Sequence, residues 1–214
     1  MFIKYIMTHN PITVTPETAV TDAQTLMRRE KIHHLPVLDK HNKLIGIVTE
    51  KDLLYASPSP ATTLSVFEMS ALLSKLPVKE VMSRNVITIQ EDTLLEDAAH
   101  IMADNHIGGL PVLRGDVLVG IVTESDIFRL FIELFGTRKK GVRLTALIPE
   151  TQGQLAKITG AVAEKGGNII SIGTFPGEDV ETSYLLLKVE GIGLDVLATT
   201  ISPYVKELVD LREV

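Results

Sequence analysis

The run Gly-Ile-Val-Thr-x-x-Asp occurs twice, at Gly46–Asp52 and at Gly120–Asp126. A threonine followed three residues later by a carboxylate has two uses. The first is local: the pair is close to a capping box, with Thr49 closing the start of a helix. Asp52 then sits in the first turn beside the positive end of the dipole. The second turns the same geometry on a ligand. A helix start at the end of a strand offers backbone N–H groups to an anion, the Thr hydroxyl adds one donor, and an ionised Asp supplies acceptors only. Asp52 beside a phosphate is repelled by on the order of a few kcal/mol at intermediate dielectric. Against the two hydroxyls of a ribose it accepts charge-assisted bonds worth about 1.5–3 kcal/mol. A nucleoside with its phosphate near the threonine satisfies both groups, whereas a free sugar or a lone phosphate satisfies one. Both uses remain open at this level.

Other chemistry has less to stand on. The six histidines do not cluster by spacing: His33 and His34 are adjacent on a strand edge and point to opposite sides, and His100 and His106 miss the helical i, i+4 relation. No metal site is expected. The absence of cysteine removes disulfides, a thiol nucleophile and thiolate metal sites. There is no nucleophile elbow, no Walker loop and no paired carboxylates, so no enzyme is expected.

The elements that must hold the motif are themselves duplicated. Shifted by 75 residues, Met7, Asn10, Ile12, Thr13, Thr18, Asp22, Ala23, Met27 and Ile32 fall on identical residues, Met82 through Ile107. Leu35-Pro36-Val37-Leu38 then meets Leu110-Pro111-Val112-Leu113. Each copy reads as a short β-branched strand at Thr13-Val14 (Thr88-Ile89), followed by an amphipathic helix with Val20, Ala23, Leu26 and Met27 (Leu95, Ala98, Ile101 and Met102) at helical spacing. Strands follow at Leu35–Leu38 (Leu110–Leu113) and Leu44–Val48 (Leu118–Val122), and a second helix starts near Thr49 (Thr123). One such β-α-β-β-α unit buries too little surface to be comfortable alone, so two packed sheet to sheet are expected to share a core. Ser57-Pro58-Ser59-Pro60 marks a loop, and Phe67, Ala71, Leu72 and Lys75 suggest a connecting helix within Leu64–Leu76.

Beyond Gly141 the pattern changes. Val142, Leu144, Ala146 and Ile148 alternate as a half-buried strand. Leu155, Ile158, Val162 and Ala163 form a helix stripe stopped by Gly166-Gly167. Strands at Ile169–Phe175 and Tyr184–Val189 flank the turn Pro176-Gly177-Glu178-Asp179. A helix with Leu194, Leu197, Ile201 and Tyr204 and a strand at Leu208–Val214 complete β-α-β-β-α-β, the ferredoxin-like plan. The fold class is α+β, with units at 1–56 and 77–135, a connection at 57–76, a linker at 136–141 and a last domain at 142–214.

Charge supports a binding module over a nucleic-acid protein. Net charge is −6; residues 1–135 carry 12 basic and 17 acidic groups, and 142–214 carry 6 and 10. A diffuse acidic surface lacks the basic face that nucleic acid needs. Arg138, Lys139 and Lys140 read as a solvated linker. No apolar run approaches the roughly 18 residues of a membrane helix, and Met1–Asn10 lacks a signal-peptide core. A cytoplasmic protein is expected.

The paired β-α-β-β-α units, each with His-Leu-Pro-Val or Gly-Leu-Pro-Val followed by Gly-Ile-Val-Thr-x-x-Asp, resemble a tandem of CBS domains (a Bateman module) over residues 1 to about 135. The resemblance implies that Thr49 and Asp52, and Thr123 and Asp126, hold phosphate and ribose of adenosyl ligands such as AMP, ADP, ATP or S-adenosylmethionine. It implies a base pocket lined by Ile12, Thr13 and His34, and by Ile87, Thr88 and Gly109. His33-His34 stands against Gly108-Gly109, and Lys51 against Ser125, so the two sites are expected to be unequal. Residues 142–214 resemble an ACT domain, which usually binds amino acids between paired domains. The likeness rests on strand order, on Pro149–Leu155 and on Gly167-Asn168-Ile169, although the family's Asp-x-Pro-Gly-like turn is missing. It implies amino-acid contacts from Gly153 and Asn168. The combination resembles the AcuB-type family, named for acetoin utilisation. It implies a regulatory homo-oligomer acting on a target enzyme, the alternative being an assembly module without ligand.

Overall fold

A computed structural model describes residues 1–56, 65, 68, 72–177 and 179–214. The loop Ser57–Pro60, and Leu64, Phe67 and Ala71 of the expected connecting helix, lie outside these residues, as does Glu178 of the later turn. Among the described residues no helix is long and apolar enough to cross a membrane. The chain divides into two compact units, Met1–Ile127 and Phe128–Val214.

In the first unit the elements are β1 (Thr8–His9), α1 (Val20–Glu30), β2 (His34–Leu38), β3 (Leu44–Thr49) and α2 (Glu50–Tyr55). Their counterparts follow as β4 (Ile89–Gln90), α3 (Leu95–Asn105), β5 (Gly109–Arg114) and β6 (Val117–Thr123), with α4 (Glu124–Leu134) running across the unit boundary. Both long helices bury one stripe, Val20, Ala23 and Met27 in α1 and Ala98 and Met102 in α3, as their period requires. The expected strand Thr13-Val14 shrinks to one parallel bridge, Val14 to Val37, and its counterpart lies at Ile89–Gln90.

The two copies do not share a core. Two separate clusters form, and each is completed by a segment of the other copy. Val78 and Met82, which open the second copy, are buried with Val20, Ala23, Leu35, Val37, Val48 and Leu53 of the first. Ile3 and Met7, which open the first copy, are buried with Ala98, Leu110, Val112 and Val122 of the second. Leu73 and Leu76 also pack on the first cluster. The backbone follows the side chains: Thr8 pairs with Ile121 and His9 with Gly120 on β6, while Ser83 bridges Ile47 on β3. The repeat in the sequence is therefore not the folding unit. Gly46 and Gly120 explain why these segments fit so closely. A Cβ on Gly46 would stand 2.5 Å from Met82 Sδ, and one on Gly120 would fall inside Met7 Sδ.

The second unit has the order β7 (Val142–Pro149), α5 (Gln154–Glu164), β8 (Asn168–Pro176), β9 (Thr182–Glu190), α6 (Leu194–Ile201) and β10 (Glu207–Glu213). Its sheet is antiparallel throughout, in the order β10-β7-β9-β8. Alternation puts Leu144, Ala146, Ile148, Leu185, Leu187 and Val189 against Ile158, Val162, Leu197 and Ile201 in one core. In α5 the stripe is shifted from the expected one. Leu155 is exposed and Gln154 is buried, its Nε2 donating to the Tyr204 carbonyl at 2.6 Å. The boundary also differs from the expected linker at 136–141. It falls inside α4, because the end of that helix packs on β8 and β9: the Phe135 carbonyl accepts from Ser171 Oγ at 3.3 Å and the Gly136 carbonyl from Lys188 Nζ at 2.9 Å.

Candidate functional site

Both Thr–Asp pairs stand where a strand hands over to a helix, β3 to α2 and β6 to α4. The Thr49 N–H donates to Asp52 Oδ2 at 2.8 Å and its hydroxyl to the same oxygen at 2.7 Å, while the Asp52 N–H donates to Thr49 Oγ1 at 3.2 Å. These bonds close a capping box. In the second copy the Thr123 N–H and hydroxyl donate to Asp126 Oδ2 at 2.9 and 2.8 Å. The local use of the motif is thus realised, and it changes the donor count. The only hydroxyl hydrogen of Thr49 is spent on Asp52. The next N–H, of Glu50, donates to the His33 carbonyl at 3.0 Å, and that of Glu124 to the Gly108 carbonyl at 3.1 Å. Most donors expected for an anion are committed within the protein. What remains on Asp52 is an acceptor: Oδ2 is occupied, and Oδ1 has no hydrogen-bond partner among the described residues.

Asp52 and Thr49 line a cleft of about 490 Å³, together with His34, Ile47 and Lys51 of the first copy. The opposite wall comes from the second copy, through Asn85, Val86, Ile87, Gly108 and Gly109. The expected set is brought together only in part. His34, Ile87 and Gly109 join Thr49 and Asp52, but Ile12, Thr13, Thr88, Thr123 and Asp126 do not line this cleft. The crossing of segments is the reason. The segment that lies beside the first copy's motif is the one that opens the second copy, Ser83 bridging Ile47, so Ile87 takes the place expected for Ile12. By the same crossing, residues 8–10 run along β6, the Asn10 N–H donating to the Val119 carbonyl at 3.1 Å, and lead Ile12 toward the copy that carries Thr123 and Asp126. Asn85 was a repeated residue without an assigned role, and its identity with Asn10 was the available signal. Nothing in the sequence marked Ser83 or Val86.

The inequality of the copies has a steric basis. A Cβ on Gly109 would meet the His34 ring at 3.0–3.2 Å, so the imidazole of one copy occupies the space beside the glycine of the other. Burial holds the His34 pKa below its ordinary value; neighbouring His33 pushes the same way, while Glu124 and Asp52 oppose it. A neutral ring can donate from one nitrogen and accept at the other. His33 and Glu50 also line the cleft, at its exposed side, with His33 Nδ1 2.6 Å from Glu50 Oε2. The aspartates differ too: Asp126 is buried at 8% exposure and Asp52 only half-buried.

In the second unit, Gly153 (φ 78°) precedes α5 and Asn168 opens β8 beyond that helix's other end. Eleven helical residues span about 16 Å, so these two do not line one site within a chain. The Asn168 amide donates to Glu190 Oε1 at 2.6 Å.

The CBS domain family matches at residues 3–59 and 78–133, over half of the chain. A putative acetoin utilization protein (AcuB) from Vibrio cholerae is 35% identical with a TM-score of 0.54, covering 64% of this chain and 95% of that one. The CBS domain pair of protein MJ0100, solved with 5′-methylthioadenosine and S-adenosyl-L-methionine, is 34% identical with a TM-score of 0.52, covering 65% and 98%. CBSX2, solved with AMP, is 28% identical with a TM-score of 0.51, covering 64% and 98%. Among curated relatives, L-aspartate semialdehyde sulfurtransferase of Methanocaldococcus jannaschii is 35% identical over 130 residues. That match spans 60% of this chain and only 23% of the relative. With a duplicated fold, a duplicated motif and two family matches in register with both, the chain belongs to the CBS domain family.

Proposed function

We propose that the first unit is a regulatory sensor that binds an adenosyl ligand in the cleft between its two copies, with Asp52 accepting from the ribose hydroxyls. The observation that carries this reading is the divided carboxylate of Asp52, one oxygen fixed by Thr49 and the other left at the cleft wall. Fixing one oxygen orients the other without using it, which suits a diol. His34, Ile87 and Gly109 supply the walls for the base, and Lys51 is the cation within reach of a phosphate. The ligands of MJ0100 and CBSX2 support the adenosyl class and leave AMP, ADP, ATP, S-adenosylmethionine and methylthioadenosine as the panel. Thr123 and Asp126, with Ile12, Thr13 and Thr88 on the other side of the pair, form the second and unequal site in this reading.

Finer parts of the reading concern the rest of the chain. The second unit has the strand order of a ferredoxin-like, ACT-type domain. An amino acid would be held there between Gly153 of one copy and Asn168 of another, since one chain keeps them apart, and the protein would act as a homodimer. The likeness to the Vibrio cholerae protein supports a part in acetoin utilisation; a cytoplasmic setting and a target enzyme complete the reading without support from that likeness.

The realised capping box of Thr49 and Asp52, with the matching Thr123–Asp126 bonds, favours one rival: an assembly module in which the motifs only close helices. Isothermal titration separates the two. A sensor releases or takes up heat with at least one member of the panel, and Asp52→Asn, which keeps an oxygen for the cap but removes the charge, weakens binding about tenfold. If no adenosyl ligand binds, the sensor reading fails and the rival stands; if Asp52→Asn and Asp126→Asn both bind as the parent does, the ribose assignment is wrong.

A further inference from the structure

The second unit contains a cavity that the adenosyl reading does not use. It has a volume of about 370 Å³, room for about a dozen water-sized groups, and lies between the end of α4 and the sheet face turned away from the main core. Its walls are Phe131 of α4 and Phe135 just past its end, whose ring centroids are 4.4 Å apart, and Phe175 and Leu186 from the sheet. Its polar floor is Arg143 and Lys188, which stand directly opposite each other on β7 and β9.

Lys188 is only 4% exposed, and its Nζ has one bond among the described residues, to the Gly136 carbonyl at 2.9 Å. A lysine ammonium has three hydrogens to place, and buried charges are ordinarily paired. No carboxylate forms an ion pair with Lys188 among the described residues. Arg143 does have one, Asp210, with Nη1 to Oδ2 at 3.1 Å, but that carboxylate is also gripped by Arg212 at 2.6 Å. Among the side chains, one carboxylate thus serves two guanidiniums and leaves the floor positive; Val214, whose carbonyl accepts from the Gly141 N–H at 3.0 Å, also lines the cavity. Lys188 also ties down the end of α4, yet that role alone needs no aromatic-walled space beside it. Phe131 and Phe175 remain about half exposed at the mouth.

We propose that this cavity binds a small monocarboxylate with an apolar tail, its carboxylate on Lys188 and Arg143 and its tail among Phe131, Phe135 and Phe175. The charge selects an anion, the rings select hydrocarbon, and the volume limits the ligand to roughly a dozen non-hydrogen atoms. The proposal stands apart from the adenosyl site, and from any amino acid near Gly153 or Asn168.

The full-length protein is titrated with hexanoate, octanoate, 3-phenylpropanoate and 4-methyl-2-oxopentanoate, with octan-1-ol, octylamine and leucine as controls. Binding is read by calorimetry and by saturation-transfer NMR on the tail protons. At least one carboxylate is expected to bind saturably, while the alcohol, the amine and the zwitterion bind at least about tenfold more weakly. Lys188→Met should abolish carboxylate binding. Because that change also frees the end of α4, Leu186→Trp is the second variant: it fills the cavity, keeps Lys188 and should likewise abolish binding, with the adenosyl response kept. Absence of saturable carboxylate binding in the parent overturns the proposal. So does binding that survives both variants, or controls that match the carboxylates. If the face is instead covered by a second copy, sedimentation shows association that Leu186→Trp disrupts while no carboxylate binds, and the proposal is likewise overturned.

Discussion

At the scale of single residues, Thr49, Asp52 and His34 perform structural work that can be separated from ligand work. Thr49→Ala removes the hydroxyl that accepts from the Asp52 N–H and donates to Asp52 Oδ2, keeps the backbone N–H bond to that carboxylate, and should cost about 1 kcal/mol of stability, read by urea denaturation. A loss near zero would mean that α2 is held by tertiary packing alone. His34 carries a pH signature. Its folded-state pKa lies below the ordinary 6.5, so the unfolded chain takes up a proton before the folded one. Its contribution is therefore intact above about pH 6.5 and lost as the pH falls through the folded-state value. The urea midpoint should drop between pH 7.5 and 5.5, and the drop should be smaller in His34→Gln; equal drops would remove His34 as the cause. Gly109→Ala places a methyl 3.0 Å from the His34 ring. Displacing that ring should weaken adenosyl binding more than the same change at Gly115, whose Cβ position is open.

At the scale of elements, the crossing segments decide the energetics. Ile3 is fully buried in the second copy's core although it belongs to the start of the first. Ile3→Ala should cost about 2–5 kcal/mol and destabilise the half that carries Asp126 before the half that carries Asp52. Hydrogen exchange resolves the two halves, and uniform loss of protection would contradict separate cores. Gly46→Ala forces a methyl toward Met82 Sδ and should cost about 1–3 kcal/mol. In a Met82→Ala background the added methyl has room, so the two costs should fall short of additivity. The strands and helices themselves were legible in the sequence, because periods of 2 and 3.6 are local properties. The strand expected at Thr13-Val14 is only one bridge at Val14, and β1 at Thr8–His9 went unread because its partner β6 lies in the other copy. The shift from Leu155 to Gln154 in α5 was also hidden, because Gln154 is buried by a bond to Tyr204, fifty residues away.

At the scale of the whole molecule, the unit boundary inside α4 is testable. A fragment of residues 128–214 keeps the bonds from Ser171 and Lys188 to the end of α4, and one of 142–214 loses them with the Phe131 and Phe135 rings. The longer fragment should be more stable by on the order of 3 kcal/mol in urea, and equal midpoints would return the boundary to residues 136–141. The sequence alone determined that a unit is duplicated, which elements it contains, and that each Thr–Asp pair can close a helix. All of these depend on residues a few positions apart. Only the tertiary structure decided which segment completes which core, and therefore that Ile87 rather than Ile12 shares a cleft with Asp52. Met7 matches Met82 and Gly46 matches Gly120, so the side chains fit either pairing equally well. The choice lies in how the chain crosses between the copies, and no single copy contains that information.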